Sequence, residues 1–165
     1  MSGTKSAFLY LMPFSLLGWA LSPLVGKLAP TVGYRKVLRL GLLGSALLIC
    51  CIWLFGLTNE WLLFALSFLM GATYVAGTNT PLNTTGVLYA SEERPGVLPG
   101  LTSAAFNLGA GVGTGVMASI VSKSLSSGDV LSGYRAALVV GLVCAVAALL
   151  CSYLMPAKVG NDIRV

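Results

Sequence analysis

Leu40–Asn59 reads LGLLGSALLICCIWLFGLTN, 20 residues without one charged side chain. A helix rises 1.5 Å per residue, so about 20 apolar residues match the roughly 30 Å hydrocarbon core of a bilayer. A helix of a soluble protein would carry a polar face along such a length, and this segment has none. Four further charge-free windows flank it. Phe8–Gly26 has 19 residues, Trp61–Ser91 has 31, Pro95–Ser122 has 28 and Ala136–Ala157 has 22. The windows predict an all-α membrane protein: one transmembrane domain over 1–165, with helices at about 6–26, 38–58, 61–90, 95–123 and 134–156. The third and fourth windows exceed the bilayer thickness and so tilt or extend beyond it. Gly77 and Pro81 interrupt the third, which alternatively splits into two short pieces around Pro81; Pro99 lies near the start of the fourth.

Composition supports the same class. Hydrophobic residues make up 56% of the chain and charged ones 9%, and the mean hydropathy is +0.88. A soluble domain carries about 25% charge to solvate its surface. The net charge of +5 does not indicate nucleic acid, because the basic residues sit in short clusters between apolar runs with no interleaved aromatics. There is no His, which removes the commonest general base and metal ligand. Cys50, Cys51, Cys144 and Cys151 lie in apolar stretches without metal or redox spacing, and read as small buried hydrophobes. Lys5 and the run after it superficially resemble a signal peptide. Pro13, Trp19 and Pro23 lie inside that run, however, and Gly26-Lys27 follows in place of a small-residue cleavage site, so it is read as a retained helix.

Orientation follows the positive-inside rule. The first connection carries Lys27, Arg35, Lys36 and Arg39 and no acid; the third carries Glu92, Glu93 and Arg94; the tail carries Lys158 and Arg164. Placing these on the cytoplasmic side puts seven Lys/Arg inside against three outside, Lys5, Lys123 and Arg135. The N-terminus is then external and the C-terminus cytoplasmic, in a bacterial plasma membrane. An external start with five helices suits a chain whose first helices are removed or lie in another polypeptide.

The first connection with its edges reads Gly26-Lys27-Leu28-Ala29-Pro30-Thr31-Val32-Gly33-Tyr34-Arg35-Lys36-Val37-Leu38. It resembles the loop signature of the major facilitator superfamily, G-x-L-a-D-r-x-G-r-[KR]-x-x-l, at Gly26, Leu28, Gly33, Arg35 and Lys36. Gly26 would permit close helix approach, Gly33 a tight turn, and the basic pair would hold the loop at an anionic leaflet. Pro30 stands where the family has Asp, so the family's acid-dependent conformational latch is not available to this copy. Gly71-Ala72-Thr73-Tyr74 through Pro81-Leu82-Asn83, then Ser91-Glu92-Glu93-Arg94-Pro95-Gly96, then Leu101 to Gly113, resembles the tenth helix, short loop and eleventh helix of drug:proton antiporters. Their fourteen-helix branch is the nearest likeness, and Leu11-Met12-Pro13-Phe14 to Gly26 is similar to its helix entering the signature loop. The resemblance covers nearly the whole chain. It implies the last five helices of a twelve-helix core, equivalent to a C-terminal half without its first helix.

Two sets of residues stand out inside the windows. Gly109, Gly111, Gly113 and Gly115 form overlapping GxxxG pairs, a surface on which a neighbouring helix backbone can pack closely. Tyr74, Thr78, Asn79, Asn83 and Asn107 are polar groups at membrane depth, where they must face other helices or a wet cavity. They are candidates to line a substrate pathway, the competing reading being hydrogen bonds that only hold the bundle. No acid or base lies inside any window, so proton coupling has no carboxylate here and would have to come from another half. No catalytic constellation, cofactor motif or metal site is present. The expected function is therefore that of a half-size transporter component, not an enzyme, moving small amphipathic or drug-like molecules once a second half or a second copy completes it. The alternative is a non-transporting scaffold subunit or a truncated remnant. The expected partners are the lipid bilayer, a small-molecule substrate, and either a homo-oligomer or a complementary N-terminal half, with no nucleic acid.

Overall fold

The computed structural model describes residues 3–55, 59–90, 94–126 and 128–154, and of 3–11 and 13 it describes the backbone only. Helix α1 spans Gly3–Val32 and α2 Tyr34–Leu54. The third span runs unbroken from α3, Glu60–Met70, through a π-helical segment, Gly71–Asn79, into α4, Thr80–Leu88. Helix α5 covers Val97–Ser126, and α6, Val130–Cys151, ends in a short 3₁₀ turn, Ser152–Leu154. The described residues are helical throughout apart from short connections. Four helices are long and apolar enough to cross a membrane, Tyr34–Leu54, Glu60–Leu88, Val97–Ser126 and Val130–Leu154, and α1 has 30 residues.

Side chains that a soluble fold would hide lie on the surface here. Trp19 is 77% exposed, Trp61 84% and Leu108 69%, which is sustainable only where lipid covers them. Trp61 follows the cap of α3, where Asn59 Oδ1 accepts hydrogen bonds from the amides of Trp61 and Leu62 at 3.0 and 3.3 Å. At the start of α6, the Asp129 side chain accepts from the Ser132 amide at 3.2 Å.

The π segment is the centre of the bundle. It packs between α1 and α2; α6 packs on α2 and α5, and α4 on α5. Glycine makes the closest crossings possible. A Cβ at Gly41 of α2 would lie 2.9 Å from Gly77 Cα and closer still to the Gly77 carbonyl. A Cβ at Gly71 would meet the Phe14 backbone of α1, and one at Gly44 would meet Thr73 Cγ2 at 2.7 Å. Hydrogen bonds run beside these contacts: Thr80 Oγ1 donates to Ser22 Oγ at 3.1 Å, and Ser45 Oγ to Thr73 Oγ1 at 3.2 Å.

Three expectations are corrected. The segment 27–39 is not an extended loop: α1 continues through Lys27 to Val32, and α2 begins at Tyr34. Only Gly33 separates them, at φ +100°, a conformation disfavoured for side chains with a Cβ. Charged side chains at a helix end can reach water from the last turns, so Lys27 does not terminate the helix. Nor does the third span split at Pro81. Proline lacks an amide proton and crowds the carbonyl four residues back. The Thr80 amide instead donates to Val75 O five residues back, and this wider turn leads into a fully buried Pro81. Gly26, expected at a close approach, would meet nothing within 4 Å with a Cβ added.

Candidate functional site

In an α-helix a residue five positions on is turned about 140° away at 100° per residue. In a π-helix the hydrogen-bonded partner is the fifth residue, which therefore lies above the first. The side chains follow the same spacing, with Thr78 Oγ1 donating to Thr73 O at 3.1 Å and Thr80 Oγ1 to Val75 O at 3.2 Å. The π segment thus brings Tyr74 beneath Asn79, and the α-helical step from Asn79 to Asn83 continues the line. One aromatic ring and two amides share one face of the third span because of this local widening.

The polar residues of the span divide into two groups. Thr73 and Thr80 turn to α2 and α1 and tie the bundle together, each such bond contributing on the order of 0.6 kcal/mol in a membrane protein. Among the described residues, Tyr74, Asn79 and Asn83 do not bridge helices by hydrogen bonds. Tyr74 is 37% exposed and stacks on Phe14 of α1, with ring centroids 6.2 Å apart and planes at 30°. Asn83 Nδ2 donates to Asn79 Oδ1 at 2.5 Å. Asn83 is exposed and Asn79 partly so. Thr78 is satisfied by its own helix.

Asn107 is exposed on α5. A Cβ at Gly86 would lie 3.1 Å from Thr102 Oγ1, which brings α4 and α5 together at that level. Along these oppositely directed helices Asn107 lies about 7.5 Å from that level, between Asn83 at about 4.5 Å and Asn79 at about 10.5 Å. The three amides therefore spread over about 6 Å along the helix axes, and no hydrogen bond joins Asn107 to the other two.

At the start of α2, Arg35 of the signature and Arg39 beyond it reach the end of α6. Arg35 Nη2 donates to Tyr153 O at 2.6 Å, and the Arg39 guanidinium lies 3.9 Å from the Tyr153 ring centroid. A cation beside the last carbonyls of α6 is favourably placed against the helix dipole. Arg35 Nε, Arg39 Nε and Arg39 Nη2 are buried without a hydrogen-bond partner. Leu28 and Lys36 are exposed. Residues 92, 93 and 155–165, which entered the charge argument for orientation, lie outside the described residues.

The glycine stripe of α5 makes no close contact among the described residues. Cβ atoms at Gly109, Gly111, Gly113 and Gly115 would meet nothing within 4 Å, and Ser124 is the one buried residue described for that helix. Close packing inside the bundle is carried by Gly18, Gly41, Gly44, Gly71, Gly77 and Gly133 instead. Sequence reasoning missed Phe14 and Arg39 as contact residues. Phe14 was quoted only for its family likeness, and nothing in the spacing pairs it with Tyr74.

Comparison with known proteins agrees with this architecture. The sequence profile described as "Major Facilitator Superfamily" matches residues 1–164. A uridine/deoxyuridine transporter of Lactococcus lactis subsp. cremoris (strain MG1363) is 40% identical over 103 residues, 62% of this chain and 22% of that protein. The match thus spans about a fifth of the relative's length. No solved structure matches.

Proposed function

This chain belongs to the major facilitator superfamily, and we propose that it supplies one wall of the solute pathway of a transporter for small uncharged nucleosides. The observation that carries the reading is the aligned face of Tyr74, Asn79 and Asn83, polar at membrane depth, with Tyr74 stacked on Phe14 and the two amides bonded, among the described residues, only to each other. Such a face offers stacking and neutral hydrogen-bond groups and no fixed charge, which suits an uncharged solute with an aromatic ring. The solutes named for the similar transporter have these properties. They share the uracil base and differ only at the sugar 2′ position, so recognition centred on the base accommodates both. The chain corresponds to most of a C-terminal half, with the first connection and the tail cytoplasmic. A second half, or a second copy, supplies the opposite wall and the coupling groups.

The test is saturable uptake of labelled uridine and deoxyuridine by cells expressing the chain in its native gene context, compared with cells deleted for it. Equal uptake in both refutes the reading. Amphipathic or drug-like solutes form a second reading. It is supported by the likeness to drug:proton antiporters and by an apolar groove of about 530 Å³ lined by Ile49, Met70, Met117, Val121, Tyr134 and Leu138 among others. Retention of a fluorescent lipophilic cation by deleted but not by expressing cells would favour that reading instead.

A further inference from the structure

We propose that Tyr74, Asn79 and Asn83 form a subsite that reads the imide edge of a uracil base, with the Tyr74 ring taking the face of the base. The inference rests on the nucleoside reading above and specifies the atoms that recognise the solute.

The argument begins with the 2.5 Å bond from Asn83 Nδ2 to Asn79 Oδ1. A carboxamide alone can flip and exchange its donor for its acceptor. This bond couples the two amides, so that they turn over only together: with Asn83 presenting nitrogen, Asn79 presents oxygen, and the concerted flip exchanges the two roles. What remains open is the Asn79 Nδ2 group, with its donors, beside the Asn83 Oδ1 acceptor and the second Asn83 N–H. A donor next to an acceptor is complementary to the O4 and N3–H of uracil, as a protein amide is to an adenine edge in DNA. Cytosine carries an acceptor at N3 and donors at N4, the reverse order, which the pair meets only after its concerted flip. Methylation of uracil at N3 removes the donor and adds bulk.

The aromatic element precedes Asn79 on the same span. The π segment aligns Tyr74 with Asn79, and Phe14 stacks against the Tyr74 ring at 6.2 Å. A ring braced in this way gives a base a stacking surface that does not depend on its identity. Stacking and edge reading thus come from separate residues and can be tested separately.

The experiment is competition against labelled uridine uptake in cells that express the chain in its native polypeptide and gene context and lack other pyrimidine-nucleoside uptake. Unlabelled uridine competes, cytidine competes through the concerted flip, and N3-methyluridine should compete about tenfold or more worse, the discrimination of one bidentate base contact. Asn83→Asp removes the Asn83 donors and leaves Asn79 Nδ2 as the only donor of the pair, engaged by the new carboxylate, so the uridine-to-cytidine preference should shift about tenfold toward cytidine. Tyr74→Ala should raise KM for both nucleosides alike, and Tyr74→Phe should not. If a variant fails to reach the membrane, the analogue series on the unaltered protein still decides. Saturable uridine uptake with equal competition by N3-methyluridine overturns the inference and leaves the nucleoside reading standing. Absence of saturable uridine uptake overturns the nucleoside reading and this inference with it.

Discussion

Replacing Gly41 by Ala should destabilise the bundle although it adds only one methyl group. The new Cβ would lie 2.9 Å from Gly77 Cα and nearer to the Gly77 carbonyl, against at least 3.4 Å for ordinary contact. The helices must therefore part by about half an ångström or more. The obstructing atoms are backbone and cannot rotate aside, so the cost lies toward the upper end of the 1–3 kcal/mol of overpacked sites. A gain of about 1 kcal/mol from replacing a helical glycine offsets part of it, leaving a net loss of about 2 kcal/mol. Gly100→Ala in α5 is the control, since a Cβ there meets nothing within 4 Å, and it should be neutral or stabilising by up to about 1 kcal/mol. The two variants should differ by about 3 kcal/mol, roughly a hundredfold in the unfolding equilibrium. Unfolding by denaturing detergent, followed by circular dichroism and by Trp53 fluorescence, measures both. A Gly41→Ala protein as stable as the parent would refute the crossing of α2 over the π segment.

Three further outcomes are expected. Single cysteines in 27–39 should resist an impermeant thiol reagent applied to intact cells, whereas cysteines in residues 1–6 should react; labelling of 27–39 from outside reverses the orientation. Reconstituted alone, the chain should move no solute against its gradient when a pH gradient is imposed, because no carboxylate lies within the charge-free windows; uphill transport by the chain alone contradicts the need for coupling groups elsewhere. In mild detergent the chain should self-associate or carry a membrane partner, with the open α5 stripe as the contact surface, and Gly111→Leu or Gly113→Leu should weaken that association; a folded, partner-free monomer by light scattering is the opposing result.

The spans were legible because lipid imposes one strong rule, the exclusion of charge over about 20 residues. The same rule misplaced the first connection. Helices need not stop where charges begin, and Lys27, Arg35 and Arg39 lie within helical turns at the ends of α1 and α2. Gly33, by contrast, was identifiable as the turning point from its type and place. Pro81 marked a perturbation of the third span but not its form. A proline can end, kink or widen a helix, and which it does is not written in the proline; here the widened segment is the one whose Gly77 backbone meets Gly41 of another helix. Spacing alone also could not distinguish the glycines that meet a neighbour from those that do not. The regular stripe of α5 is open, whereas Gly41, Gly71 and Gly77, which follow no such pattern, form the tight crossings. Asn79 and Asn83 were recognisable as a pair from their spacing. Tyr74, a little over one turn earlier, also reads onto their face from the sequence; the π segment that carries this spacing has no signature in hydropathy.

The claim that the Tyr74–Asn79–Asn83 face borders an aqueous solute path is tested most directly by thiol accessibility. In a protein with Cys50, Cys51, Cys144 and Cys151 replaced, single cysteines at 79 and 83 would be compared with cysteines at lipid-exposed Leu47, 66% exposed, and Leu108. Positions 79 and 83 should react with a small charged thiol reagent far faster than 47 and 108, and saturating uridine should slow that reaction. Reaction at 79 and 83 as slow as at the lipid-facing positions, unaffected by uridine, would contradict the account.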